Sequence, residues 1–117
     1  MMESLAYRTL YAYDLATEEI TEITISLGFP EKVRDALWRA SYRIVLTDGV
    51  SCEGRHGVGI DAWQALMTAI SLLKLEVELL FQKRVVSFHF SRSGAEQQTE
   101  EVVFDEIFPK DRFKKGP

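Results

Sequence analysis

Trp38-Arg39-Ala40-Ser41-Tyr42-Arg43-Ile44-Val45-Leu46 is the stretch on which the fold turns. Trp38, Ala40, Tyr42, Ile44 and Leu46 share one parity, and Arg39, Ser41 and Arg43 take the other. Successive side chains of a strand point to opposite faces, so a slip of one residue would bury two arginines and expose a tryptophan. The register of a half-buried strand is fixed by that penalty. Asp48-Gly49 follows at once, a dipeptide suited to positive φ. It predicts a hairpin, with Val50 to about His56 returning as a short strand weakened by glycine.

On the N-terminal side, Ile23, Ile25 and Leu27 alternate with Glu22, Thr24 and Ser26, the pattern of a second half-buried strand. Gly28 and Pro30 end it. Leu5 to Tyr13 places Tyr7, Thr9, Tyr11 and Tyr13 on one parity, which predicts a strand with an aromatic face.

On the C-terminal side, Asp61 stands where a helix cap belongs, and Gln64 completes a capping box. Trp63, Leu66, Met67, Ile70, Leu73, Val77, Leu80 and Phe81 then follow helical spacing and form one wide apolar face. Beyond the helix, Val86, Phe88 and Phe90 alternate with Ser87, His89 and Ser91, which predicts a strand with His89 exposed. Ser93-Gly94 reads as a turn, and Thr99 to Phe104 as the strand paired after it. The pattern is that of an α+β domain: an antiparallel sheet of about five to six strands with one long helix packed on one face. Residues 1–109 read as a single domain, and 110–117 as a disordered basic tail.

Composition narrows the function classes. A chain of 117 residues has room for one domain. Its formal charge of −4 argues against nucleic acid, whose backbone is held by clustered Lys and Arg. One cysteine, Cys52, cannot form an internal disulfide, and no apolar leader opens the chain, so a cytoplasmic setting is expected. Ala62 to Phe81 is rich in leucine but carries Lys74, Glu76 and Glu78. Each charge costs roughly 2.5–3.5 kcal/mol at the centre of a membrane span, so no membrane insertion is expected.

The candidates for chemistry each meet a plainer explanation. Gly54-Arg55-His56-Gly57-Val58-Gly59 runs into a helix as a phosphate cradle does, but its spacing fits neither nucleotide fingerprint. Asp61 would also set its own carboxylate over the N–H groups an anion needs. A flexible strand-to-helix connection is the expected reading. Cys52, His56 and His89 are too few for a zinc site, and the glutamates near Glu100 read as a solvated edge. Arg8, Arg39 and Arg43 could share the open face as an anion patch, or pair with Glu22 and its neighbours. No catalytic residue, cofactor or metal is expected.

One oddity remains on the helix. Leu72, Leu75 and Leu79 recur at i, i+3 and i+7, nearly opposite the main apolar face, where a surface helix should be polar. A second copy around a two-fold axis would cover them, and is the favoured cover. The C-terminal segment with Ile107, Phe108 and Phe113 is the alternative.

The strand with Trp38, Tyr42 and Ile44, the glycine turn, and Gly59, Asp61, Gln64, Ala65 and Leu66 opening a long helix resemble a set of small bacterial proteins classed as a domain of unknown function. The resemblance spans roughly the middle half of the chain and implies a bacterial α+β domain with no assigned activity. With no catalytic set, an acidic charge and a surplus leucine stripe, the leading expectation is a non-enzymatic interaction module, of accessory or immunity type, bound to a protein partner or to itself. The rival is a small enzyme or ligand binder, with a pocket between sheet and helix walled by Tyr7, Tyr11 and Trp38.

Overall fold

The computed structural model describes residues 4–47, 49–102 and 107–108, apart from the side chain of Val50. The strands are β1 (Ser4–Asp14), β2 (Ile20–Gly28), β3 (Glu31–Arg34), β4 (Leu37–Leu46), β5 (Gly49–Gly59), β6 (Val86–His89) and β7 (Glu101–Val102). The helices are α1 (Ala62–Leu80) and α2 (Arg92–Gln97). All strand pairs are antiparallel. β5 takes one edge of β4, while β2 and β3 share the other end to end. From β2 the sheet continues through β1 and β6 to β7. The fold is the expected antiparallel sheet with one long helix against it.

The register of β4 is as its alternation requires. Ala40, Tyr42 and Ile44 are buried beneath the helix, and Arg39 is exposed on the other face. Trp38 is half-buried at the margin of the core. The hairpin after β4 forms, with Leu46 opposite Gly49, one residue earlier than an Asp48-Gly49 turn would place it. Asp48 lies outside the described residues.

Two elements differ from expectation. β3 is an added strand, joined to β4 through Asp35 and Ala36, with Ala36 at φ 57°. It escapes notice because that turn lacks the glycine or asparagine such a backbone favours. α2 replaces the expected turn at Ser93-Gly94, and Ser91 caps it by accepting from the Gly94 N–H at 3.0 Å. β7 is the expected paired strand, and 103–106 and the predicted tail at 110–117 fall outside the described residues.

The helix begins as its capping signals require. Asp61 Oδ1 accepts from the Gln64 N–H at 2.8 Å. Gln64 Oε1 reaches back to the Ile60 N–H at 2.8 Å, one residue before the usual target of a capping box. The sheet-facing stripe is not the one that residue size predicts. Ala65, Ala69, Leu73 and Val77 are buried, whereas Trp63 is 69% exposed and Leu66 and Ile70 are half-buried. The reason lies below the helix. A Cβ built on Gly57 would stand 2.6 Å from Ala69 Cα and 2.8 Å from the Ala65 carbonyl oxygen. On Gly59 it would stand 2.6 Å from the Ala65 nitrogen. Helix and strand backbones touch there, so only alanines fit between them. Arg55 to Gly59 is thus paired strand and helix seat, not a flexible connection, with Gly54 in the register shift just before it.

One helix about 10–12 Å across covers two to three strands spaced about 4.8 Å apart. α1 lies over β4 and β5, and the rest of that face is closed by other groups. Phe81 meets Phe88 edge-on at 5.6 Å, and Val102, Ile107 and Phe108 complete the same buried cluster.

Asp14 ties the far end of the helix to the sheet. Its Oδ1 accepts from the Ala16 and Thr17 N–H groups at 2.8 and 3.2 Å, and its Oδ2 from Arg84 Nε at 2.7 Å. The Arg84 hydrogen bond, then the two backbone donors, hold the Asp14 carboxyl below the usual carboxylate range. A folded-state pKa lowered in this way contributes stability above about pH 4, and that contribution is lost as pH falls through the folded value. Chemical denaturation across this acid range should therefore show a steeper loss of stability for wild type than for Asp14→Asn. Parallel curves would show that the ion pair contributes nothing.

Candidate functional site

The leucines that stood out in the sequence divide. Leu75 and Leu79 are 48% and 49% exposed, while Leu72 is half-buried against the margin of the core. They lie on the flank of α1 turned toward β5, because Glu76, between them, is ion-paired with Arg55 of β5. Ile107 and Phe108 are buried on the other flank, beside Ile70, Leu73, Ile25 and Leu27. Those two residues of the C-terminal segment therefore pack away from Leu75 and Leu79, and Phe113 lies outside the described residues.

The reactive side chains are not brought together. Cys52 is buried under the helix beside Tyr42, His56 is exposed on the opposite face, and His89 lies three strands away from β4 on β6. Burial, aided by the charge of Glu76, pushes the Cys52 thiol up, and burial likewise raises the Tyr42 hydroxyl. A thiol held protonated in this way is a poor nucleophile. Among the described residues no group of three His, Cys, Asp or Glu side chains could hold a metal ion.

His89 is 1% exposed, which corrects the expectation that it faces solvent. Its parity was read rightly, but α2 covers that face where it packs on β1 and β6. Nδ1 lies 2.7 Å from the Thr99 carbonyl, an acceptor only, so Nδ1 carries the proton. Nε2, at 2.8 Å from Ser87 Oγ, is then free to accept from the hydroxyl. Nucleophilic serines are activated by this kind of pairing. Here Ser87 is itself buried, and neither cleft described below is lined by the pair.

The three arginines do not form one patch. Arg8 falls on the parity of Leu10, the helix side, and stacks over the Phe90 ring at 4.9 Å. Arg39 and Arg43 lie on the open face, paired with Glu31 at 3.4 Å and Glu53 at 3.5 Å rather than with Glu22. Tyr7, 75% exposed, and Tyr11 also face away from the helix, so they cannot wall a pocket with Trp38.

Two clefts among the described residues bear on this question. One of about 210 Å³ lies between Ile70, Leu73, Ile25 and Phe108, with Arg8 at its mouth. The other, about 220 Å³, lies beside Leu46, Phe81 and Arg84, whose guanidinium is already engaged by Asp14. Both are smaller than the roughly 300–1,000 Å³ of ordinary ligand pockets. Neither contains a nucleophile with a base beside it. Among the described residues no helix is long and apolar enough to cross a membrane.

Neither a curated protein nor a solved structure matches the chain. A family profile does match, over residues 6–97, which run from β1 to the end of α2 and include the α1 flank, the glycine seat on β5 and the buried histidine. The chain belongs to the family described as a domain of unknown function (DUF6968).

Proposed function

We propose that this protein is a non-enzymatic interaction module, of bacterial origin and cytoplasmic, that docks a protein partner or a second copy of itself on the α1 flank carrying Leu72, Leu75 and Leu79. The observation behind this reading is the half-exposure of Leu75 and Leu79 on one flank of a helix whose sheet-facing side is packed. Large apolar side chains grouped on one flank mark interaction surfaces more often than single exposed ones do. The reactive groups support the same reading, being buried or scattered.

Affinity capture with wild type and with the double variant Leu75→Glu, Leu79→Glu tests it. A protein held by the wild type should be lost by the variant at unchanged melting temperature. Identical capture by both would remove the flank from consideration. A second reading, a binder of small apolar carboxylates, is favoured by the apolar cleft with Arg8 at its mouth. It requires ligand-dependent stabilisation that Arg8→Ala abolishes and the leucine variant keeps.

A further inference from the structure

α1 does not roof the whole sheet. Its alanines are pressed onto the glycines of β5, so the helix-side face of β1 and β2 depends on other cover. Near the β1–β2 turn that cover is complete, with Leu10, Ala12 and Ile23 at most 1% exposed. Toward the other end of the two strands it runs out, leaving Leu27 half-buried and Ala6 exposed. The gap is the cleft of about 210 Å³, floored by Ile25 and Leu27 and walled by Ile70, Leu73, Ile107 and Phe108. No acidic side chain lines it.

Arg8 stands at the mouth of this gap. Arg39, Arg43, Arg55, Arg84 and Arg92 each pair with a carboxylate. Among the described residues Arg8 and Arg34 do not, and Arg34 lies on the exposed β3, where neither cleft reaches. Arg8 is stacked on the Phe90 ring instead, its guanidinium carbon 4.9 Å from the centroid. Stacking engages the face of a guanidinium and leaves the N–H donors in its plane free. Among the described residues no acceptor takes those donors. A planar fork of N–H groups held in this way matches a carboxylate.

The volume sets the size of the apolar body. The cleft is too small for a drug-sized ligand, but a dry cavity of about 150 Å³ is enough for benzene. In proportion, this cleft takes about eight or nine non-hydrogen atoms, which is one ring and a two-carbon tether. A ring brings its area with few rotors to freeze, whereas an alkyl chain of equal volume immobilises about six.

We infer that this cleft is a binding site for a single-ring arylalkanoate, with the ring among Ile25, Ile70, Leu73 and Phe108 and the carboxylate paired with Arg8. The inference rests on the carboxylate reading of the cleft and is independent of the leucine flank. It adds the ring, the length of the tether and the orientation of the ligand.

Titration of the full chain with phenylpropionate, followed by calorimetry and by NMR contacts between ring and methyl groups, tests it. The wild type should bind saturably, with ring contacts to the methyls of Ile25, Ile70 and Leu73. Arg8→Ala should weaken binding about tenfold. Phenylpropanol, which keeps ring and tether without the charge, should bind both proteins alike and at that weaker level. Ala6→Phe, which fills the mouth from an exposed position, should abolish binding with an unchanged circular dichroism spectrum. Octanoate should bind several-fold more weakly than phenylpropionate, and equal binding would overturn the assignment of a ring. Absence of saturable binding to the wild type, ring contacts elsewhere, or an Arg8→Ala variant that binds as tightly would overturn the inference. The double leucine variant should keep the ligand, so protein capture through the flank and binding in the cleft stand or fall separately.

Discussion

Gly57→Ala is expected to be the most damaging of the single methyl additions, at about 3 kcal/mol or more, the upper end for overpacking. The new Cβ would stand 2.6 Å from Ala69 Cα and closer still to its nitrogen. These are backbone atoms, and no rotamer change moves them, so the N-terminal half of α1 would have to lift from the sheet. Gly54→Ala provides the comparison. It meets nothing within 4 Å, and its cost is the backbone strain of φ +75°, roughly 1–2 kcal/mol. Denaturant unfolding of both variants measures the difference. Equal losses would mean that helix and strand are not in backbone contact.

His89→Ala should cost about 2–4 kcal/mol, chiefly from the cavity left by a fully buried side chain, with the Thr99 carbonyl also losing its donor. His56→Ala, on an exposed side chain, should fall within about 0.5 kcal/mol of wild type. Beyond stability, the His89 change should loosen the turn after α2, since the Thr99 carbonyl is held by the ring and its N–H by the Gly94 carbonyl at 2.9 Å. Faster amide exchange at 98–102 would register this. Two histidine variants of equal stability would contradict the burial of His89.

Strand parity was legible wherever it was tested by opposed residue types. Trp38 to Leu46 could be read because an arginine and a tyrosine cannot exchange faces cheaply, and Val86 to His89 for the same reason. What each face meets was not legible from parity. His89 was read as solvent-facing because α2 is six residues long, with a glycine inside it and no apolar period. The helix stripe was misread for a related cause. Its sheet-facing positions were sought among the largest apolar residues, whereas backbone contact with Gly57 and Gly59 demands the smallest. The clue was present as paired small residues, Gly57 and Gly59 against Ala65 and Ala69, on two segments that the chain joins directly. The leucine flank could be read from spacing alone, since it depends only on helical geometry. That β5 stands at an edge of the sheet among the described strands could not, because the order of strands in a sheet leaves no mark on the strands themselves.

The connection from β5 over the sheet to β6 also bears on how the chain folds as it is made. β1, β2, β4 and β5 form a meander in chain order, with β3 folded back onto β4 on the way from β2, so these pairings are all local in sequence. β6 instead pairs with β1, with Tyr11 opposite His89, about eighty residues apart in the chain, so this closure is the slow, entropically demanding one. During synthesis the meander emerges first, and the flank of β1 then waits bare until α1 and β6 have followed it from the ribosome. For that interval β1 is the hazardous edge. The turn fastened by Asp14 is then incomplete, because Arg84 and β6 reach that end of the sheet together.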